Sequence, residues 1–191
     1  MIDASQPIFL ASTSPRRTQL LSQAGISHIA LKPEDDECVS ESLSPLEVVQ
    51  TLALRKAHSV RRRVQQGLII GADTIVYLDG RIIGKPKDAT AAHAMLRELS
   101  GREHEVYSGV AVVDAQSGEQ RVGYRRVNVS FRPLTDHEIE SYIGTGEPLD
   151  KAGAYSIQGR GALFVLGIQG DYYAVVGLPL VLTAELLHHW D

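Results

Sequence analysis

The sequence is poor in cysteine and in long apolar runs. Its 191 residues include a single cysteine, Cys38, so an internal disulfide is excluded. No uninterrupted apolar stretch approaches the roughly 20 residues needed to span a bilayer. The first residues show no positively charged leader followed by an apolar run. We therefore expect a soluble protein with no membrane contact, located in the reducing cytoplasm.

Aromatic residues and excess positive charge are scarce as well. Aromatics make up 6% of the chain, and the formal net charge at pH 7 is −4. A protein that coats nucleic acid needs a basic face to release counterions and aromatic side chains on which bases stack. Neither is present, so we expect no nucleic-acid partner. The metalloprotease motif H-E-x-x-H and the hydrolase motif G-x-S-x-G are also absent.

The segment from Ile8 to Arg17 is the most informative feature that is present. An apolar strand leads through hydroxyl residues to Pro15, which is favoured at the first position of a helix, with Ser14 as its N-cap. A helix N-terminus binds anions through unpaired N–H groups, and the guanidinium groups of Arg16 and Arg17 can each hold two phosphate oxygens. The pattern predicts a phosphate site. A strand-to-helix turn with solvated arginines is the alternative.

Hydrophobic periodicity and turn residues predict alternating strands and helices. With 43% hydrophobic residues, the chain can bury the core of one domain or of two closely packed lobes. The expected helices cover about residues 15–24, 45–66, 90–99, 135–143 and 178–190. The expected strands cover about residues 8–11, 28–31, 68–77, 81–84, 105–114, 120–132, 162–168 and 172–176. Because strands and helices do not alternate strictly, we expect an α/β fold with a mixed sheet flanked by helices.

A carboxylate interrupts the third predicted strand. Asp73 follows Gly71 and Ala72 in an otherwise apolar run. An ionised carboxylate is costly to bury unless it is paired, hydrogen-bonded or bound to a metal, which makes Asp73 a candidate catalytic residue. A structural aspartate paired with a nearby lysine is the alternative. Lys56 lies among apolar residues of the second helix, where a lysine ordinarily extends its ammonium group to solvent.

Lys85 lies between Gly84 and Pro86, at the end of the next predicted strand. A hairpin turn that includes Asp79 would bring it back alongside the strand that carries Asp73. The segment is not a nucleotide-binding P-loop, because Pro86 stands where a serine or threonine would hold magnesium. A solvated lysine at a hairpin is the alternative.

Two further polar segments are candidates for ligand binding. The glycine-rich segment 150–161 contains Gln158, whose side-chain amide offers the donor and the acceptor needed to recognise the edge of a nucleobase. A flexible surface loop is its alternative. The run from Glu34 to Glu37 offers carboxylate oxygens for magnesium or manganese, and a solvated acidic turn is the alternative there.

Taken together, these motifs resemble the Maf family of nucleotide pyrophosphatases, over essentially the whole chain and in the family's order. The motifs are Ser12-x-Ser14-Pro15-Arg16-Arg17, Asp36-Glu37, Lys56, Gly71-Ala72-Asp73-Thr74, Gly84-Lys85-Pro86, Leu99-Ser100-Gly101, Asp150-Lys151-Ala152-Gly153 and Gly177-Leu178-Pro179. The resemblance implies one domain over residues 1–191, an α/β structure of two lobes with an active-site cleft, similar to inosine triphosphate pyrophosphatases. It also implies a homodimer that hydrolyses nucleoside triphosphates to the monophosphate and pyrophosphate with Mg²⁺, Mn²⁺ or Co²⁺, and a link to nucleotide-pool cleaning and to arrest of septation.

The resemblance further implies a branch of the family. Arg16, Thr74 and Gln158 match the specificity positions of the branch that acts on dTTP and UTP. The branch that resembles 7-methyl-GTP pyrophosphatases carries other residues at the matching places. The expected substrate is therefore a pyrimidine nucleoside triphosphate, canonical or modified, with Thr74 and Gln158 against the base.

The same resemblance implies roles for the other site residues. The triphosphate would lie against three residues at the start of the first helix, Ser12, Ser14 and Arg17. Lys56 and Lys85 would neutralise its oxygens. Glu37 and Asp73 would hold the metal, and the resemblance favours Asp73 as the acceptor of a proton from the attacking water.

A binding protein is the competing hypothesis. Such a protein would sense nucleotides or regulate septation by holding a triphosphate without turnover. Against this stands the presence of Asp73 and Glu37 together with both lysines, because binding alone gains nothing from an acid buried beside phosphates.

Overall fold

A computed structural model describes residues 6–34, 39–40 and 42–190 of the chain, apart from the side chain of His189. The strands are β1 (Ile8–Ala11), β2 (Ile29–Leu31), β3 (Leu68–Leu78), β4 (Arg81–Ile83), β5 (Glu103–Asp114), β6 (Gln120–Phe131) and β7 (Val165–Gln169). The α-helices are α1 (Pro15–Gln23), α2 (Pro45–Arg61), α3 (Ala89–Leu99), α4 (Asp136–Ile143), α5 (Tyr172–Val176) and α6 (Leu180–Leu187). Short 3₁₀ helices cover Glu147–Asp150, Ala152–Ala154, Arg160–Phe164 and His188–Trp190.

The described strands form one mixed sheet in the order β2-β1-β3-β5-β6-β7, with β4 paired to β3. β1 pairs in parallel with β2 and β3, and the other pairings between the described strands are antiparallel. The parallel pairs require the crossover helices α1 and α2, because a short turn cannot return the chain in the same direction. The mixed sheet expected from the sequence is confirmed.

Side chains alternate between the two faces of β3. Ile69, Asp73 and Ile75 face α2, whereas Ala72 and Thr74 point to the face covered by α1, α5 and α6. This alternation puts neighbouring residues of one motif on opposite faces of the sheet.

Two glycines let α2 lie unusually close to the sheet. A Cβ atom at Gly71 would overlap the backbone carbonyl of Ala53, and one at Gly109 would overlap that of Val49. Gly109 is the register partner of Asp73 on β5. The close approach therefore occurs on both sides of Asp73, and it brings Lys56 on α2 within reach of the carboxylate.

Two apolar clusters share the other face of β3. Leu68, Ile70 and Ala72 pack in one cluster with residues of α1 and α6. Val76 and Leu78 pack in another with residues of α3 and α4. Thr74 lies between the two groups, at the position where the cleft described below opens. The expectation of two lobes in one domain stays a prediction.

Three of the expected elements differ from the structure. The second helix ends at Arg61 rather than near residue 66, because the chain turns there to enter β3, where the Leu68 amide donates to the Pro7 carbonyl. The predicted strand at 172–176 is wrong: it is the helix α5, capped by the Asp171 side chain, which accepts from the Tyr173 amide. The predicted strand at 162–168 begins only at Val165, after a 3₁₀ helix.

No helix within the described ranges is both long and apolar enough to cross a membrane.

Candidate active site

A cleft of about 670 Å³ opens beside the carboxyl end of β1. Its walls come from the β1–α1 connection, α2, β3, Lys85 shortly after β4, the segment 147–159 and the turn after α5. The sequence-predicted site residues within the described ranges all line it: Ser12, Ser14, Arg16, Arg17, Lys56, Asp73, Thr74, Lys85 and Gln158. Glu37, the remaining predicted residue, and Asp36 lie outside the described residues. The fold thus assembles residues that are up to 146 positions apart in the chain, from Ser12 to Gln158.

A buried ion pair forms the floor of the cleft. Lys56 Nζ donates to Asp73 Oδ1 at 2.5 Å, and the two side chains are 9% and 11% exposed. The expectation that Lys56 extends to solvent is wrong, because Gly71 and Gly109 hold α2 against the sheet and turn the lysine inward. The alternative that Asp73 pairs with a lysine is correct as geometry. Asp73 Oδ2 makes no hydrogen bond with the described residues, so the carboxylate still presents one oxygen to a ligand.

The β1–α1 connection offers hydroxyls and helix N–H groups to the cleft. Ser14 occupies the N-cap position of α1 as expected, but its side chain makes no capping hydrogen bond. Its backbone amide donates to Ser12 Oγ at 3.1 Å, which fixes the turn. The N-terminus of α1 faces the cleft without a side-chain cap, an arrangement that suits an anion, and Pro15 contributes no N–H there.

Arg17 cross-links three parts of the site. Its Nε donates to the Gly177 carbonyl at 2.9 Å, Nη1 to Ser12 Oγ at 3.3 Å, and Nη2 to Thr74 Oγ1 at 3.4 Å. The planar guanidinium suits such a three-way contact, because its donors diverge in fixed directions. Arg17 thus ties the β1–α1 connection to β3 and to the turn after α5.

Thr74 belongs to a chain of hydroxyls. The Ser108 hydroxyl donates to the Ala174 carbonyl at 2.7 Å, and Thr74 Oγ1 lies 2.7 Å from Ser108 Oγ. Since Ser108 has already spent its only proton, Thr74 is the donor in this second bond. The Thr74 proton is therefore committed within the protein, and a second acceptor, the Gly177 carbonyl, lies at 3.5 Å. One lone pair accepts from Arg17 Nη2, so Thr74 has one lone pair left for a donor in the cleft.

The described walls of the cleft carry more positive than negative side chains, although the whole chain is acidic. Among the described residues, five cations line it against three carboxylates, Asp73, Glu147 and Asp150. The five cations are Arg16, Arg17, Lys56, Lys85 and Lys151. Burial alone would raise the pKa of Asp150, but the hydrogen bond from Lys151 and the charges of Lys151 and Arg16 lower it. An excess of one sign of charge in low-dielectric walls concentrates the opposite ion, so this excess of cations favours an anionic ligand.

Sequence reasoning assigned no role to Glu147, Lys151 and Tyr155, which also line the cleft. Lys151 appeared only as part of the Asp150-Lys151-Ala152-Gly153 motif. The signal for Glu147 in the sequence was indirect. A side chain at position 159 would overlap the Glu147 carboxylate, and one at position 161 would meet the Tyr142 hydroxyl bonded to it, and both positions are glycine. That relation becomes visible only in three dimensions.

Asp73 offers a carboxylate oxygen, which is the kind of ligand that a hard divalent cation takes. Lys56 holds Asp73 Oδ1, so Oδ2 is the oxygen that remains to bind a metal ion. Across the ranges that the structure describes, no three histidine, cysteine, aspartate or glutamate side chains cluster as a complete metal site. The second predicted ligand, Glu37, lies outside those ranges.

This geometry defines an α/β protein with a cation-lined cleft over a buried acid. A family model described as "Maf-like protein" matches residues 7–190. The chain belongs to the Maf family.

Two relatives match over nearly their whole length. The dTTP/UTP pyrophosphatase of Moorella thermoacetica is 53% identical over 180 residues, which cover 94% of this chain and 93% of that protein. The dTTP/UTP pyrophosphatase of Symbiobacterium thermophilum is 50% identical over 182 residues, which cover 95% of this chain and 93% of that protein.

A solved structure supports the fold class. The Staphylococcus aureus Ham1 protein is similar to this chain with a TM-score of 0.54 and 16% identity, over 97% of this chain and 100% of that one. At this identity the likeness concerns the fold alone. The predicted α/β fold, with a mixed sheet flanked by helices, is confirmed.

Proposed function

We propose that this protein hydrolyses dTTP and UTP to the monophosphate and pyrophosphate. The names of the relatives from Moorella thermoacetica and Symbiobacterium thermophilum support this substrate class. The observation that carries the proposal is the buried Asp73 carboxylate at the floor of a cleft lined by an excess of cations. A triphosphate needs those cations, and its hydrolysis needs a proton acceptor beside them.

The triphosphate lies against the N-terminus of α1 in this proposal. Ser12, Ser14 and the first amides of α1 bind phosphate oxygens, and Arg16 adds a guanidinium group at the same edge. Lys85 neutralises charge from the opposite side of the cleft. Arg17 acts mainly by holding this loop in place, since three of its five N–H groups already bond to protein groups.

The reaction transfers the nucleoside phosphoryl group to water. A water oxygen attacks the α-phosphorus, and the bond from that phosphorus to the oxygen bridging to the β-phosphate breaks. Asp73 accepts the proton that the water loses, and the pyrophosphate leaves with the electron pair of the broken bond. Lys56 holds Asp73 Oδ1 and so orients Oδ2 toward the cleft, while Lys85 stabilises the charge on the leaving group.

A divalent cation belongs to this proposal, with Mg²⁺, Mn²⁺ or Co²⁺ as the expected ion. Asp73 fits one oxygen ligand, and Glu37 is the proposed second. A bound ion of this kind neutralises phosphate charge and acidifies water.

Thr74 and Gln158 recognise the pyrimidine base. Because Thr74 donates to Ser108, it can accept from N3–H of uracil or thymine but cannot donate to the unprotonated N3 of cytosine. Gln158 is exposed at the cleft and has no partner among the described residues, so its amide is available for a base oxygen. A site with committed polar groups rejects a base that leaves them unpaired.

Pyrophosphate release from dTTP, UTP, CTP, GTP, ATP and 7-methyl-GTP tests this proposal. We expect turnover of dTTP and UTP that Asp73→Asn reduces by about a hundredfold to ten-thousandfold, as removal of a general base does, while the exposed Glu140→Gln leaves it unchanged. EDTA should abolish turnover, and Mg²⁺ or Mn²⁺ should restore it. A purine preference would overturn the base-recognition roles, and tight UTP binding without turnover would favour the nucleotide-sensing protein.

We also propose that the enzyme is a cytoplasmic homodimer. Leu163 and Leu166 are 72% and 70% exposed at the edge of the sheet formed by β7, which supports a contact between copies. The single cysteine suits a reducing compartment. Light scattering should give twice the chain mass of 20.8 kDa, and a monomer mass would contradict the dimer.

A further inference from the structure

Two side chains, Glu147 in the wall of the cleft and Tyr142 beside it, hold both ends of the segment that carries Gln158. Tyr142, on α4, lies between this segment and Glu147. Its hydroxyl accepts from the Ser156 amide at 3.1 Å and donates to Glu147 Oε1 at 2.8 Å. The start of the segment is therefore bound to a phenol whose proton is already committed.

Glu147 holds the other end of the segment. Its Oε2 accepts from the Arg160 amide at 3.1 Å, and its Oε1 accepts from the Gly161 amide at 3.4 Å. One carboxylate thus pairs two backbone donors and the Tyr142 hydroxyl. Gln158 stands between the two attachment points, exposed to the cleft.

The contacts of Glu147 require its charge. Burial alone would raise the pKa of Glu147, but the hydrogen bonds from Tyr142 and from the Arg160 and Gly161 amides lower it. Burial and the bond to Glu147 raise the pKa of Tyr142. At neutral pH the carboxylate is ionised and the phenol protonated, which is the combination that satisfies every donor in the group.

The backbone of Glu147 is fixed as well. The Glu147 amide donates to Thr145 Oγ1 at 3.1 Å, and Lys151 Nζ donates to the Glu147 carbonyl at 2.7 Å. The backbone of Glu147 is therefore fixed on both its amide and its carbonyl side, so its carboxylate can act as a rigid attachment point.

Two glycines make room for the attachment. A Cβ atom at Gly159 would overlap the Glu147 carboxylate, and one at Gly161 would come within 2.9 Å of the Tyr142 hydroxyl. The Gly-x-Gly pattern in this segment is explained by close approach to these side chains.

We infer that Tyr142 and Glu147 form a clamp that positions Gln158 and thereby sets the base specificity of the enzyme. This inference rests on the proposed dTTP and UTP pyrophosphatase activity. Neither residue need touch the substrate: they act through the backbone of residues 156–161. A Gln158 on a loose segment would still meet the base, but it would lose the orientation that distinguishes uracil from a purine.

Two isosteric variants test the clamp. Glu147→Gln keeps the shape but loses the charge and one acceptor oxygen, and Tyr142→Phe removes the bridging hydroxyl. Matched controls are Glu140→Gln, on the exposed side of α4, and Tyr172→Phe, whose side chain is 40% exposed. The first measurement is hydrogen exchange of the amides of residues 156–161, which needs no substrate. We expect faster exchange in both clamp variants and parent-like exchange in both controls.

The second measurement is the ratio of kcat/KM for UTP to kcat/KM for ATP. We expect Glu147→Gln to lower this ratio about tenfold, chiefly through the KM for UTP, as loss of hydrogen bonds to a charged group predicts. In a Gln158→Ala background, Glu147→Gln should lower the ratio no further, since it acts through Gln158.

Three results would overturn the clamp: unchanged exchange in residues 156–161, an equal loss of activity on UTP and ATP, or additive effects of Glu147→Gln and Gln158→Ala. An equal loss would mean that Glu147 only supports the fold. A parent that turns over neither UTP nor dTTP would overturn the proposed function and the specificity role with it, whereas the exchange result would still decide whether the clamp exists.

Discussion

Acid should destabilise this protein through one buried histidine, His104. The residue is 2% exposed, and its ring packs edge-to-face against Phe131 and Tyr155. Its Nε2 lies 2.8 Å from the Tyr155 hydroxyl, while Nδ1 has no partner among the described residues. Burial lowers the pKa of His104 from 6.5 to about 4.

The direction of the effect follows from proton linkage. The unfolded chain protonates His104 below about pH 6.5, but the folded protein keeps it neutral down to about pH 4. Between these values the unfolded state binds more protons, so the free energy of unfolding falls as the pH falls. At about 1.36 kcal/mol per pKa unit, the loss from pH 7 to pH 4 is about 3 kcal/mol.

Urea unfolding of the parent and His104→Phe between pH 4 and pH 7 measures this loss. Phenylalanine fills the aromatic site and does not titrate, so the parent should lose about 3 kcal/mol more than the variant over this range. The exposed His137→Gln should keep the parent profile. Parallel profiles for the parent and His104→Phe would refute the reasoning.

Three further substitutions test how the fold builds the site. Gly71→Ala should cost about 2 kcal/mol of unfolding free energy and most of the activity, because the new methyl group pushes α2 off the sheet. Gly167→Ala, which has open space around it, should cost neither. Urea unfolding and pyrophosphate release check both variants, and a stable, active Gly71→Ala would refute the close approach. Lys56→Met should lower the free energy of unfolding by about 3 kcal/mol, because it leaves the buried Asp73 carboxylate unpaired, and adding Asp73→Asn should recover part of this loss. Thermal unfolding of the single and double variants measures the coupling between the two residues, and strictly additive losses would contradict the coupling. Ser108→Ala removes the nearer acceptor of the Thr74 hydroxyl and leaves the Gly177 carbonyl at 3.5 Å as a weak alternative. The hydroxyl can then donate to a base, so the ratio of kcat/KM for UTP to that for CTP should fall; an unchanged ratio would count against a base contact at that hydroxyl.

The chain-local features were predictable from residue patterns. Pro15 after Ser14 marks the start of α1, and the hairpin between β3 and β4 follows from the turn at Asp79 and Gly80. The wrong strand prediction at residues 172–176 has a local cause. Valine and tyrosine favour strands, but Asp171 caps a helix there by accepting a hydrogen bond from the Tyr173 amide.

The site residues were found mainly through the motifs of the resemblance. Periodicity alone left Lys56 as a solvated lysine and Lys85 as a hairpin residue. The pairing of Lys56 with Asp73 depends on how closely α2 approaches β3, and that distance is a property of packing, which no single segment encodes.

The sequence by itself determined most strands and helices and the mixed sheet, because hydrophobic period, caps and turn residues act over a few positions. Its motifs also identified most of the groups that line the cleft. Only the tertiary structure decided which of those groups meet. It turned Lys56 inward, committed the donors of Arg17 to the protein, and bound the Gln158 segment to Tyr142 and Glu147. These contacts join residues far apart in the chain, and their geometry is set by the packing of helices on the sheet.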